Sequence, residues 1–220
     1  MKIDPSSYVN SMIKAIDQFI SENLNNLRAY DLYEFYRTLF NELKKFFGGS
    51  WGFDGVTEVL IFRLLHHLIG EKEKVIEVTS DLRAYYYEER NIVLGAGLPL
   101  KIGERKIWPD IIVYESEVND PLKIVKLKSV LEIKAYPQGG LKSIKNMVER
   151  LKMIHNYYPD AKLALIVYSL PVKNKNKSRI WKYLHRALEG EETIPSYIDV
   201  VLLSERHDRV TKVFKLYVSN

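Results

Sequence analysis

Apolar side chains at the start of the chain recur with the spacing of amphipathic helices. One such pattern runs from Pro5 to Leu24 and a second from Leu32 to Phe47, after which two glycines and a serine end it. About 45 residues alone make only a thin core. We therefore expect residues 1–50 to form a helical extension packed on a core of residues 51–220, within a single domain.

Strand and helix patterns alternate along the rest of the chain. A third helix is predicted from Asp54, which can cap it, to about Ile69. The stretch from Lys74 to Lys106 predicts a strand at 75–78 and several glycine turns, with an ambiguous segment between them. Further patterns predict strands at 107–114, 122–136, 162–170 and 198–203, and helices at 141–151 and 180–188. This order indicates an α/β fold with a mixed β-sheet flanked by helices.

The composition is that of a globular chain with a mildly basic balance. Of 220 residues, 46% are hydrophobic and 28% are charged, which distinguishes the chain from disordered sequences. No apolar run approaches the length of a membrane span, and no signal-peptide pattern is present. Since the chain has no cysteine, disulfides and thiolate metal sites are excluded, and we expect an intracellular, cytoplasmic protein. A net charge of +5 permits a polyanionic partner without requiring one.

Three ionisable residues interrupt apolar strand patterns in the middle of the chain. Asp110 lies in the segment 106–114, which predicts one strand, and Glu132 and Lys134 lie in the next, at 129–135. Because side chains alternate faces along a strand, Glu132 and Lys134 project from the same side. The flanking residues are apolar, so we expect these strands to be largely buried, where unpaired charges are costly. Buried charges on adjacent strands usually have each other or a metal ion as partners.

The turn between the two strands determines how close these groups come. If antiparallel strands meet at residues 119–120, Asp110 falls opposite about residue 129, a few positions from Glu132. A small bulge would let both carboxylates bind one ion. The alternative is that Asp110 lies in solvent, while Glu132 and Lys134 form the polar face of a half-exposed hairpin.

A further acid lies on the apolar face of the third predicted helix. At about 100° per residue, the direction of Glu58 falls between those of Leu65 and Ile69. We therefore expect this carboxylate to point towards the core. The alternative is a first-turn acid that interacts favourably with the helix dipole.

Together these residues resemble the motif of the PD-(D/E)xK nuclease superfamily. The matching residues are Pro109-Asp110 and Glu132-Ile133-Lys134, with Glu58 on a preceding helix. The resemblance covers roughly residues 54 to 170 and leaves the N-terminal helices unexplained. It implies a restriction-endonuclease-like fold. Archaeal Holliday-junction resolvases and restriction endonucleases belong to this superfamily, whereas the glutamine–tyrosine helix motif of its RecB-like exonuclease branch is not evident in this sequence.

The resemblance also implies a catalytic role for each residue. Asp110 and Glu132 would coordinate Mg²⁺ or Mn²⁺, and the Ile133 carbonyl would supply another oxygen ligand. Glu58 would act through a bound water or a second metal ion. Lys134 would orient or help deprotonate the attacking water and offset charge on the phosphate.

The function implied is that of a divalent-metal-dependent DNA endonuclease, and junctions or branched DNA are the structured substrates that the resemblance to resolvases suggests. Its products would carry 5′-phosphate and 3′-hydroxyl ends. Resolvases and many restriction enzymes with a similar pattern act as homodimers, because two strands must be cut. The alternative is a catalytically inactive nuclease-like fold that binds nucleic acid or serves in assembly, motivated by the mild net charge and the N-terminal helices.

Basic residues in two segments are candidates for contact with a phosphate backbone. The densest basic segment follows a predicted strand and precedes a helix, and the predicted helix at 141–151 carries lysines opposite its apolar stripe. The candidates are Lys173, Lys175, Lys177 and Arg179 in the first segment, and Lys142 and Lys145 on the helix. The alternatives are a solvated loop and an ordinary solvent-facing helix surface.

Overall fold

The computed structural model describes residues 5–47, 54–70, 72–135, 140–169, 177–189 and 193–219. The helices are α1 (Pro5–Asn23), α2 (Ala29–Phe47), α3 (Asp54–Ile69), α4 (Gly140–Tyr157), α5 (Lys177–Leu188) and α6 (Val210–Phe214). The strands are β1 (Lys74–Glu77), β2 (Arg83–Tyr87), β3 (Ile92–Ala96), β4 (Leu100–Ile102), β5 (Arg105–Ile107), β6 (Ile111–Glu117), β7 (Asp120–Lys134), β8 (Lys162–Val167) and β9 (Ile198–Leu202).

Seven of these strands form one mixed sheet in the order β1-β2-β3-β6-β7-β8-β9. Neighbours from β1 to β7 are antiparallel, whereas β7 with β8 and β8 with β9 are parallel. Parallel neighbours need crossover connections, and α4 and α5 lie in the two that are required here. The remaining strands, β4 and β5, form a separate hairpin. The predicted α/β fold with a mixed sheet flanked by helices is therefore confirmed.

Two hydrophobic cores cover the two faces of the sheet. Residues of α1, α2, α3 and α6 share one core with Ile111 and Val113 of β6. Residues of α4 and α5 share the other with Ile112 and Tyr114. Adjacent residues of β6 thus point to opposite cores, as the pleat of a strand requires. In the described part of the chain, no helix is both long and apolar enough to cross a membrane.

The predicted strand at 106–114 was wrong in one respect, because it is interrupted. Trp108, Pro109 and Asp110 separate the end of β5 from the start of β6. Proline has no backbone N–H to donate, so Pro109 cannot continue a strand ladder normally. β5 pairs with β4, whereas β6 joins the large sheet. The interruption places Asp110 immediately before β6.

Candidate active site

The pairing of β6 with β7 brings Asp110 and Glu132 together. Ile111 lies opposite Leu131 in the antiparallel register, and the next step along the two strands places Asp110 opposite Glu132. Directly opposed residues on antiparallel strands have Cα atoms about 4.5–5.5 Å apart. The register shifts at three points nearer the turn. Without these shifts, a hairpin with its turn at residues 119–120 would place Asp110 opposite about residue 129. The shifts move its position along β7 to Glu132.

Glu132 is a wholly buried acid with an incomplete set of partners. Its side chain is 0% exposed. Its Oε2 accepts a hydrogen bond from an Nη of Arg150 on α4, whereas its Oε1 has no hydrogen-bond partner among the described residues. Burial, and next the neighbouring charge of Asp110, raise the pKa of Glu132 to about 8, although Arg150 acts against this rise. A buried carboxylate with such a pKa binds a proton or a cation readily.

Asp110 is held in place by the backbone of the strand beside it. Its Oδ2 accepts a hydrogen bond of 2.6 Å from the N–H of Ile133. Burial is the largest influence on Asp110 and raises its pKa. The hydrogen bond from Ile133 and the charges of Arg150 and Lys134 all act to lower it. The carboxylate therefore has a fixed orientation next to Glu132 and lies within the electrostatic reach of two cations.

Lys134 and one side of α4 form a cleft over the two acids. The cleft has a volume of about 680 Å³. Its lining residues are Glu58, Asp110, Ile133, Lys134, Lys142, Ser143, Asn146, Met147 and Arg150. Ser143, Asn146 and Arg150 are spaced three and four residues apart, so they share one face of α4. Lys134, two residues after Glu132, lies on the same face of β7 as that acid.

Tyr168 connects two elements that line the cleft. Its backbone N–H donates a hydrogen bond of 2.9 Å to the carbonyl of Lys134. Its side-chain hydroxyl donates another of 2.9 Å to the carbonyl of Thr57 in α3. The ring is 0% exposed. Tyr168 therefore fixes the start of α3 against the end of β7, and with it the position of the next residue, Glu58.

Glu58 lies at the edge of the cleft and is partly buried. Its negative charge contributes to the raised pKa of Glu132, which shows that the two acids are within electrostatic reach of each other. The structure thus places Glu58, Asp110 and Lys134 in the lining of one cleft, whereas Glu132 is fully buried next to Asp110.

Among the described residues, only some of the basic residues proposed from the sequence lie at the cleft. Lys142 lines the cleft. Lys145 is exposed on the same helix, with its Nζ 5.8 Å from the centre of the Tyr183 ring. Arg179 is exposed on α5. Lys173 and Lys175 lie outside the described residues, and so does the side chain of Lys177.

Arg150 and Tyr168 are site residues that the sequence patterns did not indicate. A weak signal for Arg150 exists, because it lies between the apolar positions Met147 and Leu151. When the apolar stripe of a helix packs on a sheet, a charged residue at the border of that stripe lies next to the sheet rather than in open solvent. Tyr168 offers no such signal, since a tyrosine at the end of a buried strand is ordinary core composition.

The described residues contain no group of three or more histidine, cysteine, aspartate or glutamate side chains arranged to hold a metal ion. The candidate oxygen ligands are the carboxylates of Asp110 and Glu132 and the Ile133 carbonyl, and Glu58, Ser143 and Asn146 also line the cleft. These are hard donors of the kind that Mg²⁺ and Mn²⁺ prefer. The buried, unpartnered Oε1 of Glu132 fits a cation at this position.

Comparisons with known proteins found no similarity that would identify the chain. No protein-family model, curated protein or solved structure matched it.

Proposed function

We propose that this chain is a divalent-metal-dependent DNA endonuclease with a restriction-endonuclease-like fold. The observation that supports this most strongly is the pairing of Ile111 with Leu131. Continued by one residue, this register sets Asp110 opposite Glu132, with Lys134 on the same strand face as that acid. A cleft that also contains Lys142 and Arg150 lies over these groups. Two acids that bind a cation, beside amines that bind a phosphate, are what metal-assisted phosphodiester hydrolysis requires.

In this proposal, Asp110, Glu132 and the Ile133 carbonyl would hold Mg²⁺ or Mn²⁺. The bound ion would lower the pKa of a coordinated water and stabilise the charge that develops on the phosphate. The interruption at Pro109 supports the assignment, because it leaves Asp110 at a strand end beside an open cleft. Glu58 would accept a hydrogen bond from a water at the edge of the site.

Lys134 would orient the attacking water and offset the negative charge of the scissile phosphate. The water oxygen forms a bond to phosphorus as the bond from phosphorus to O3′ breaks. A proton lost by the water is balanced by the proton that the O3′ leaving group acquires. The products would carry a 5′-phosphate and a 3′-hydroxyl. Lys142 would contact a neighbouring phosphate of the same strand.

Cleavage by the purified protein tests this function directly. The substrates are linear, supercoiled, single-stranded and four-way-junction DNA, each with Mg²⁺, with Mn²⁺ and with chelator alone. We expect cutting that depends on the metal ion and falls at least about 100-fold in Asp110→Asn and in Lys134→Met.

Two matched controls come from an exposed pair on α4. Glu149 and Lys152 form a salt bridge of 2.8 Å with exposed side-chain fractions of 65% and 36%, and such pairs contribute little to stability. Glu149→Gln and Lys152→Met should therefore cut as wild type does. Failure of the wild-type protein to cut any of these substrates would refute the proposal.

One observation favours a second candidate function, a nuclease-like fold that binds nucleic acid without cutting it. Arg150 donates a hydrogen bond to Oε2 of Glu132 and so already occupies one of the two oxygens that a cation would use. DNA binding that weakens with salt, occurs without cleavage and is unchanged by Glu132→Gln would support this second function. Fluorescence anisotropy with labelled DNA measures it.

A further inference from the structure

The ion pair between Arg150 and Glu132 leaves one buried polar atom unpartnered on each side. Among the residues that the structure describes, Oε1 of Glu132 and Nε of Arg150 are both buried without a hydrogen bond. A buried donor or acceptor without a partner is energetically costly. The pair thus lacks a cation beside the acid and a hydrogen-bond acceptor beside the guanidinium. A metal ion and a phosphate together would supply both.

The two partners differ in their freedom to move. Glu132 is fixed in the middle of the sheet, with its side chain 0% exposed, whereas the side chain of Arg150 is 36% exposed and lines the cleft. A guanidinium presents several N–H donors in one plane and binds phosphate oxygens in pairs. When the ion pair opens, Arg150 is therefore the member that can turn towards a ligand in the cleft.

We propose that Arg150 is a phosphate-binding catalytic residue that exchanges partners, releasing Glu132 when a divalent cation binds there and then donating to the scissile phosphate. This inference rests on the proposed nuclease function. Before substrate binds, the guanidinium competes with the cation for Glu132. Once the cation neutralises that acid, the same guanidinium offsets charge that builds up on the phosphate during hydrolysis.

If Arg150 exchanges partners in this way, Arg150→Met should strengthen Mg²⁺ binding and weaken DNA cleavage. Arg150→Met should bind Mg²⁺ about three- to tenfold more tightly than wild type, because a partly exposed competitor worth about 1 kcal/mol has been removed. The measurement is isothermal titration calorimetry on the full chain without nucleic acid, in buffer alkaline enough to ionise Glu132. The same variant should lose at least about 100-fold in kcat for DNA cleavage.

Lys152→Met is the matched control, since it removes one positive charge from the same helix at a salt bridge with Glu149. It should leave both Mg²⁺ affinity and kcat unchanged. Arg150→Lys keeps the charge without the planar donor group, and we expect wild-type Mg²⁺ affinity with a reduced kcat. It also provides a test should Arg150→Met fail to fold.

Three outcomes would overturn the exchange. They are weaker Mg²⁺ binding in Arg150→Met, an unchanged kcat in that variant, and full kcat in Arg150→Lys. A loss of both properties in Arg150→Met would identify a residue that only supports the fold. If wild type cuts no DNA, the nuclease function fails, whereas the Mg²⁺ titration still reports whether arginine and cation compete for Glu132.

Discussion

The side-chain hydroxyl of Tyr168 donates a hydrogen bond of 2.9 Å to the backbone carbonyl of Thr57. Through this bond, a residue at the end of β8 fixes the helix that carries Glu58. The backbone N–H of the same tyrosine bonds the carbonyl of Lys134. One buried residue, through its hydroxyl and its backbone N–H, therefore couples the position of an acid on α3 to that of the amine on β7.

Tyr168→Phe should keep the packing of the ring and lose only the hydrogen bond to Thr57. We expect the free energy of unfolding to fall by about 1–3 kcal/mol, because the Thr57 carbonyl is left without this donor in the interior. Urea unfolding followed by circular dichroism measures the change. Tyr157→Phe, at a tyrosine that is 57% exposed, is the control and should change stability by less than about 0.5 kcal/mol. Equal stability of the two variants would contradict the anchoring role.

Binding of Mg²⁺ or Mn²⁺ should raise the melting temperature of the wild-type protein. A ligand that binds only the folded state at 100 times its Kd stabilises that state by about 2.7 kcal/mol, which corresponds to roughly 5–11 °C for a chain of this size. Asp110→Asn should abolish the shift because it removes one of the two carboxylate ligands. Differential scanning fluorimetry with and without metal ion makes the comparison.

Glu149→Gln is the matched control for that experiment, since it neutralises an exposed acid that pairs with Lys152. It should retain the whole metal-dependent shift. A shift of equal size in Asp110→Asn would show that the ion binds elsewhere.

The metal-free protein should lose stability relative to Glu132→Gln as pH rises. The pKa of Glu132 is raised from 4.5 to about 8 in the folded state, so the folded state holds a proton that the unfolded state has released between these values. The stabilisation from this proton is fully present below about pH 4.5 and is lost as pH rises through about 8. The difference in unfolding free energy should change by at most about 1.4 kcal/mol per pH unit.

Denaturant unfolding of both proteins at several pH values, in chelator, tests this dependence. Because all other groups are common to the two proteins, their difference isolates Glu132. A difference that stays constant between pH 5 and pH 8 would show that Glu132 ionises at an ordinary pKa.

The attachment of α1 to α3 should depend on Asp17. Its two carboxylate oxygens accept hydrogen bonds of 2.6 and 2.8 Å from Arg63, and the side chain of Arg63 is 11% exposed. Asp17→Ala leaves a largely buried guanidinium without its main partner, so we expect a loss of about 2–4 kcal/mol in unfolding free energy. Chemical denaturation measures it. Glu22→Ala, at an exposed residue of the same helix, should have an effect of less than about 0.5 kcal/mol, and a comparable loss there would contradict this account.

Local patterns predicted most helices and the strands of the second half well. The predicted third helix, Asp54 to about Ile69, has those bounds in the structure, because its apolar spacing is a local pattern. The sequence pattern did not predict the strands β2 and β3. Tyr85 and Tyr86 lie on opposite faces of β2 and contact different cores, so no alternation of apolar and polar residues marks that strand.

The candidate site needed information that no local pattern contains. The opposition of Asp110 and Glu132 arises from register shifts at three points between β6 and β7, and bulges of that kind depend on tertiary packing. The contact between Glu132 and Arg150 joins a strand to a crossover helix. Residue types and spacing selected the acids and Lys134 as candidates. The contact of Arg150 with Glu132 became apparent only in the three-dimensional structure.

The core that α1 and α2 share with the sheet has a consequence for how the chain can be divided. Ile16, Ile20 and Leu32 belong to the same cluster as Leu60 of α3 and Leu131 of β7. Cutting the polypeptide near residue 50 would uncover the apolar side of the very helix that presents Glu58. The smallest autonomous unit is consequently larger than residues 54–170, and a truncated fragment should aggregate rather than fold alone.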